Sequence, residues 1–513
     1  NPQTLWFNTG TLCNIECTNC YILSSPTNDA LVYITAEEVR AKVIGEGANL
    51  GFTQQGRIAF NKNGGRSNSD AIDNSAGVNS SDVEVNIKIA LASAMKSGKL
   101  TRPKRNVLLE SMTETVAELV LRNNYLQTLS ISLTERSGME DFAHQQQLMQ
   151  QLERRDLLDR DVEDLPDDAK IVEQMQAKQP LTRAEIGVLL AYAKIVALDD
   201  LVATDVPDDA YLERELTRYF PEKMQDKYKK EIENHRLRRE IIGTVLANSM
   251  INRGGATFVS RVQNRTGAKI EAVARAYVTV RDAFDMQAIN AEIDALDTKI
   301  AGDLQLELYR IIQERVLEQT VWFVRYGDFS KGIGAVVESY GNAVSKLMPK
   351  LESIVPEFLK VRIEADAGRF TEAGVPKSLA LTLARLPVGG LIPDIHFAAQ
   401  RTGKPLDKAA DVFFTVTQSF RVGRMVQAAR SIDAEDYYDA LALDRALQSL
   451  HSARRDIVID ILSGKGSAED WLEAHSEAVE RTRSQMQGIV ENDQATVSRL
   501  TVAANVLADL ARG

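Results

Sequence analysis

Apolar residues recur at three- and four-residue spacing along most of this chain, the period of helices packed on one face. From about Pro103 onward strand-like alternation is rare, glycine and proline are thin, and runs rich in Ala, Leu, Glu, Arg and Gln follow one another. Thr182-Arg183-Ala184-Glu185, just after Pro180, is a Thr-x-x-Glu helix start, in which hydroxyl and carboxylate each satisfy an orphan backbone N–H. Ile186, Leu189, Leu190 and Ala193 then keep the i, i+3, i+4, i+7 register. Asp208-Asp209 after Pro207 opens another helix, carrying Tyr211, Leu212, Leu216 and Tyr219 before Pro221 closes it. Similar periods predict helices near 228–251, 269–283, 287–325, 334–351, 408–430, 434–451 and 467–508. These segments differ in length and share no repeat of roughly 30–45 residues, so a solenoid is not expected.

The first hundred residues have a different texture. Thr4-Leu5-Trp6-Phe7 and Lys42-Val43-Ile44 read as short strands, and Arg57-Ile58-Ala59-Phe60 and Ser69-Asp70-Ala71-Ile72 as further extended pieces around Gly64-Gly65. Ser81-Asp82-Val83-Glu84 reads as a second capping box opening a helix, which ends at Lys96-Ser97-Gly98 with lysine ahead of glycine, as helix termini prefer. Short strands alternating with helices suggest one edge of an α/β sheet, with too few strands to complete it.

Composition narrows the class. The 513 residues suggest about three domains at roughly 150 residues each. Apolar residues at 44% and charged residues at 26% are the balance of a folded globular chain. With 61 Lys+Arg against 72 Asp+Glu, the net charge of −11 makes phosphate backbones poor partners, so no nucleic acid is expected. The longest apolar runs, such as Ile241-Ile242 to Leu246-Ala247, fall well short of the ~18 residues a membrane span needs. No signal peptide is visible, so neither a membrane nor an exported location is expected. The chain opens on Asn1 and not on Met, which reads as a processed chain or a piece of a longer one.

Val43-Ile44-Gly45-Glu46-Gly47-Ala48-Asn49 sets a glycine turn directly after a strand candidate, the place where ligands bind in open α/β sheets. The spacing, Gly45-x-Gly47-x-x-x-Gly51, is not the G-x-G-x-x-G pyrophosphate turn. About twenty-five residues on, Asp73-Asn74-Ser75-Ala76-Gly77-Val78 runs into a helix start, where backbone N–H groups suit an anion. From the residues alone Asn74 reads either as an Asx-type turn or as a ligand. Ser81 reads either as an N-cap partnered by Glu84 or as an anion contact. Asp73 and Asp82 read as local turn and helix-start groups.

These segments resemble the late coenzyme-domain segments of glutamate dehydrogenases. The string Lys42-Val43-Ile44-Gly45-Glu46-Gly47-Ala48-Asn49-Leu50-Gly51 with Thr53-Gln54 and Gly56-Arg57, and Asp70 to Val78 continuing through Ser81-Asp82 and Glu84 to Lys88, are similar to the large-subunit bacterial NAD-specific branch. Leu181 to Glu185, Leu189 to Lys194, His235 to Ile242 and Ala274 to Tyr277 agree with it too, so the resemblance covers about residues 36–513. It implies a mainly α protein: a partial Rossmann-like α/β segment at the N-terminus (36–103) followed by a large α-helical region (104–513) that divides near 325–335. It further implies Gly47, Asn49, Asn74, Ala76 and Gly77 at an NAD site, and Ser81 at the distal carboxylate of L-glutamate. The implied reaction moves hydride from the α-carbon of L-glutamate to NAD and yields 2-oxoglutarate and ammonia, in a cytoplasmic homo-oligomer of amino-acid catabolism. The family's catalytic lysine and aspartate and its main Gly-rich turn precede the matched segment, so no catalytic residue is expected in this chain. Alone it is expected not to turn over glutamate.

The cysteines add a second resemblance. All three, Cys13, Cys17 and Cys20, fall within eight residues, too crowded and too few for a disulfide framework and natural in a reducing cytoplasm. Cys13-x-x-x-Cys17-x-x-Cys20 resembles the opening of a radical S-adenosylmethionine enzyme over residues 1–35. There three thiolates would hold a [4Fe–4S] cluster whose fourth iron binds S-adenosylmethionine. An isolated strand and loop cannot enclose such a cluster, and a junction of two families is expected near Asp29 to Thr35. Three readings therefore stand: the C-terminal portion of a glutamate dehydrogenase, a helical scaffold or regulatory fragment without activity, and a radical iron–sulfur protein. His144, His235, His396, His451 and His475 are scattered and read as surface or packing residues. Lys227-Tyr228-Lys229-Lys230, interleaved downstream with Glu231 and Glu233, reads as a solvated helix face. Trp322-Phe323 and Trp471-Leu472 read as core anchors, and Gly254-Gly255 as a helix-to-helix turn.

Overall fold

The computed structural model describes residues 42–46, 51–429, 431–432, 437–491 and 496–512. Helices α1 (Gln54–Lys62), α2 (Asp70–Asp73) and α3 (Ser75–Lys96) come first, then α4 (Arg102–Glu110), α5 (Thr113–Ser137), α6 (Met139–Arg154), α7 (Asp168–Ala177) and α8 (Arg183–Val202). A middle group holds α9 (Glu213–Tyr219), α10 (Glu222–Gln225), α11 (Lys229–Glu233), α12 (Arg238–Gly254), α13 (Phe258–Thr266), α14 (Ile270–Ala283), α15 (Met286–Asp294) and α16 (Gly302–Tyr326). After a helix-free stretch at 327–332 follow α17 (Ile333–Leu347), α18 (Leu351–Ile354), α19 (Glu357–Glu372), α20 (Lys377–Gly389), α21 (Ile392–Thr402) and α22 (Leu406–Ser419). The last are α23 (Val422–Ala429), α24 (Tyr437–Ser463), α25 (Ala468–Ala474), α26 (Ser476–Glu491) and α27 (Val497–Arg512).

The helical expectation holds; of the partial Rossmann-like segment expected over 36–103, the described residues show no strand. Val43 makes one isolated parallel bridge to Arg66, through Ile44 N–H to Arg66 O (2.9 Å) and Arg66 N–H to Lys42 O (2.8 Å). The other two strand candidates are helical. Thr53 N-caps α1 by accepting from Gly56 N–H at 3.1 Å and winds Arg57 to Phe60 into it, and Asp70 to Ile72 lie in α2. Apolar runs of three or four residues carry too little period to separate strand from helix, and with no second strand to pair the cap decides. The candidate Thr4–Phe7 lies outside the described residues.

Local signals elsewhere do set the elements. Thr182 and Glu185 form the reciprocal cap of α8, Glu185 Oε2 accepting from Thr182 N–H at 2.7 Å. Gly98, at φ +75°, ends α3 just past Lys96, and Gly255, at φ +90°, turns α12 into α13. The long period 287–325 breaks into α15 and α16, and 228–251 into α11 and α12.

Two apolar cores result. The larger runs from Val83 in α3 to Leu510 in α27, crossing the 327–332 stretch, with α14 against α16 and α17, and α24 against α27. The smaller gathers Ile72, Ile131, Phe142, Met149, Ile171, Ile186 and neighbours from α2, α5, α6, α7 and α8. Helix α8 serves both. Every residue from Arg183 to Leu190 is buried, Ile186 and Leu190 facing the smaller core while Ala197 and Leu201 enter the larger. Phe323 is fully buried, as expected. Trp322, half-buried, donates its indole N–H to Asp394 at 2.8 Å, and Trp471 stacks on His475 at the edge. Tyr228 is buried while Lys227, Lys229 and Lys230 are exposed, the solvated face expected. No single helix among the described residues is long and apolar enough to cross a membrane.

His144, His235 and His451 are packing residues, and His475 is a surface one. His235 is buried, its Nε2 3.1 Å from the Asn86 carbonyl and its Nδ1 accepting from Leu237 N–H. Burial, with Arg261 and Arg265 nearby, pushes the His144 imidazole down to about 3, and burial beside Arg454 pushes His451 down to about 4. Both stay neutral in the fold, whereas the unfolded chain takes up their protons from the ordinary value near 6.5. The unfolded state therefore gains protons first as pH falls, and stability is lost below about pH 6.5 while being flat in these groups above it. Urea unfolding of His144→Gln should remove on the order of 2 kcal/mol of the acid-side decline by about pH 4.5; equal slopes for variant and parent would contradict the neutral-histidine account. Thr182→Ala should cost about 1 kcal/mol in the same assay at neutral pH, through loss of the α8 cap.

Candidate functional site

The candidate residues cluster around one buried arginine. The Thr53 cap starts α1 so that Arg57 faces inward, fully buried. Its Nε donates to Phe52 O at 3.0 Å, and its Nη1 to Asn68 O at 2.7 Å and to Asp73 Oδ2 at 3.0 Å. Its Nη2 pairs with Glu46 Oε2. The Glu46 carboxylate also accepts from Gly51 N–H and from Phe52 N–H (3.1 Å), and Glu46 N–H donates to Asp73 Oδ2 at 3.2 Å. Arg57 thus joins the residue three before Asn49 to the residue immediately before Asn74. Asp73 is therefore a long-range anchor and not only a local turn group.

The network continues into the helical region. Asn68 donates to Asp73 Oδ1 at 3.0 Å, and its own Oδ1 accepts from Arg183 Nε (3.2 Å) and Nη2 (3.0 Å). Arg183 reaches Glu135 at 2.8 Å and Ser132 Oγ at 3.0 Å, and Arg66 pairs with the same Glu135 at 2.7 Å. Burial lowers the Arg183 pKa and Glu135 opposes that shift. Three guanidinium groups, Arg57, Arg66 and Arg183, thus meet three carboxylates, Glu46, Asp73 and Glu135, so the cluster carries no net charge.

Asn74 sits in the junction between α2 and α3 (φ −96°, ψ 5°), its N–H bonded to Asp70 O and its carbonyl accepting from Gly77 N–H at 3.2 Å. Its Oδ1 lies over the first turn of α3, where a Cβ at Gly77 would stand 3.5 Å from it. Ala76 is half-buried, and Gly77 and Ser81 are exposed. Ser81 does not open a helix. The helix has already begun at Ser75, so Ser81 lies on its second turn and donates to the Gly77 carbonyl at 3.3 Å, while Glu84 pairs with Lys88. The small residues 75–77 extend the helix N-terminally because none resists helical φ and ψ, and this defeats the predicted cap. Asn74, Gly77 and Ser81 nonetheless fall along one side of the α3 start. Gly47, Asn49 and the cysteines Cys13, Cys17 and Cys20 lie outside the described residues.

Among the described residues no group of three His, Cys, Asp or Glu side chains is arranged to hold a metal ion. A cavity of about 120 Å³ lies away from these residues, among Asp141, Phe258, Arg261 and Arg310. Sequence reasoning missed Asn68, Arg183 and Glu135 as site supports, and placed Arg57 on a strand. Burial of a charge has no signature in a single sequence, although an arginine amid the motif residues was the available hint.

Comparison with known proteins supplies the family. Residues 178–509 match the family described as glutamate dehydrogenase, C-terminal, and residues 5–134 match bacterial NAD-glutamate dehydrogenase, catalytic domain. The second match takes in the three cysteines and runs across the junction expected near 29–35. The chain is 36% identical over 493 residues to the NAD-specific glutamate dehydrogenase of Pseudomonas aeruginosa, covering 94% of this chain and 30% of that protein. The like-named proteins of Halomonas elongata (32% identity, 94% and 30% covered) and Mycobacterium tuberculosis (30% identity, 100% and 32% covered) are similar over the same range. The chain thus spans about 30% of the length of the curated relatives it matches. With the glutamate dehydrogenase C-terminal model matching well over half of its residues, the chain belongs to that glutamate dehydrogenase family.

Proposed function

We propose that this chain supplies part of the coenzyme and substrate site of an NAD-specific glutamate dehydrogenase, which oxidises L-glutamate to 2-oxoglutarate and ammonia in a cytoplasmic homo-oligomer. The observation that carries the reading is the Arg57 bridge. Glu46 and Asp73, anchored on one guanidinium, bring the segment leading to Asn49 beside the turn that presents Asn74. The described half of the site fits a nicotinamide nucleotide. Asn74 offers an amide donor and acceptor suited to a carboxamide or ribose, and Ala76 and Gly77 leave the α3 start free of bulk for close approach. NAD, when bound, accepts the hydride. The protein's part is to hold and orient.

Ser81 keeps the role of contact to the distal carboxylate of glutamate, by a changed argument. Its hydroxyl is exposed on the α3 face one turn beyond Gly77, and its single proton rests on a long bond to a helix carbonyl. Turning that proton toward a carboxylate gives up little. Gly47 and Asn49 complete the coenzyme set by family resemblance. The catalytic-domain match across Cys13, Cys17 and Cys20 supports placing them in that domain, and not in a [4Fe–4S] and S-adenosylmethionine unit. Coverage of about 30% of the relatives' length supports a chain that does not turn over glutamate by itself.

Glutamate-dependent reduction of NAD, followed by absorbance, should appear when the chain is joined to the portion its relatives carry beyond it, and should be absent from the chain alone. No reduction by the joined protein would sink the assignment. Arg57→Met leaves two largely buried carboxylates without their cation and should cost about 3–5 kcal/mol of stability in urea unfolding. Arg57→Lys keeps the charge without the fork and should lose less.

A further inference from the structure

Lys194 is the unexplained charge near the site. It lies on α8, mostly buried, and forms no ion pair among the described residues; burial alone pushes its ammonium down to about 7. Its Nζ donates to Gln127 Oε1 at 3.0 Å, and Gln127 Nε2 donates to Ser75 Oγ at 3.1 Å. Ser75 Oγ in turn stands 2.9 Å from Ile72 O and 2.8 Å from Asn124 Oδ1. Packing gives no reason for a lysine here, since its neighbour Ala193 and Ala197, one turn on, sit in apolar cores where Leu or Met would serve.

The chemistry of the donors gives a reason. In its charged form Lys194 has donors only, so the amide of Gln127 then turns its oxygen toward α8 and its NH₂ toward Ser75, as in the structure. Ser75 must then accept from Gln127, which leaves its one proton for Ile72 O or Asn124 Oδ1. Ile72 and Ser75 are the two ends of the turn that holds Asn74. An apolar residue at 194 removes the demand on the amide, which can then flip and present its oxygen to Ser75, reversing the direction of the chain.

We propose that Lys194 is a positioning residue for the coenzyme: by fixing the orientation of Gln127, and through it the hydroxyl of Ser75, it sets the turn from which Asn74 acts. This rests on the proposed function. It also ties the two matched families together, since Lys194 lies in the C-terminal match and Gln127 and Ser75 in the catalytic one.

Steady-state kinetics of the glutamate-oxidising protein provide the test. Lys194→Met and Gln127→Leu should each raise the KM for NAD about tenfold with kcat within about twofold of the parent, and the double variant should be no worse than either single. Lys194→Arg, also a donor-only cation, should restore the KM to within about twofold. Unchanged KM with reduced kcat and Tm, or single effects that multiply in the double variant, would overturn the proposal and leave Lys194 a structural residue. Hydrogen exchange on this chain alone decides the relay without turnover. In Lys194→Met, amides of residues 72–80 should exchange about tenfold faster while those of α14 hold; unaltered exchange at 72–80 would refute the relay. An unaltered protein that fails to reduce NAD would instead refute the proposed function, with the exchange result still judging Lys194.

Discussion

The burial of the Arg57 guanidinium governs how the N-terminal described segment is built. Taking such a cation out of water costs several kcal/mol unless its donors are matched by charge and by hydrogen-bond geometry. Here the match needs Glu46 and Asp73 together with the carbonyls of Phe52 and Asn68, groups drawn from four places between residues 46 and 73. Either carboxylate alone leaves the other end of the fork uncompensated. The two segments flanking the site consequently form as one unit, by side-chain electrostatics, where the described backbone offers a single β-bridge.

The helical region was largely legible because its signals are local and repeated. The Thr182–Glu185 cap, the Lys96-Ser97-Gly98 stop and the Gly254-Gly255 turn each follow from backbone groups within a few residues, and each appears as expected. The first hundred residues were less legible. Short runs such as Arg57 to Phe60 fit either period, and the deciding cap at Thr53 lies just ahead of the run. Ser81 misled for the opposite reason: a sound capping pattern lay inside a helix that small residues had already started at Ser75.

Of the candidate site, the turn that carries Asn74 and Gly77 was legible and the residues packed around it were not. Asn74 and Gly77 do share the α3 start, but what holds them there comes from Asn68, Arg183, Gln127 and Lys194, up to about 120 positions away in sequence. Such partners are fixed by tertiary packing, and a single sequence carries no record of which arginine or lysine has lost its water. The polar contacts run outward from the site into α5 and α8, so the helices act on the motif loops through hydrogen bonds as well as through apolar contact.

The placement of α8 in both cores bears on how the chain can be divided. Its first two turns are enclosed on all sides by α2, α5 and their neighbours, and its last turns by the larger core. The two family segments that look modular along the sequence are therefore not separable bodies. A protease nick in the 155–167 connection would break the backbone and leave both pieces clasped, and either segment expressed by itself would present a raw apolar trench to solvent.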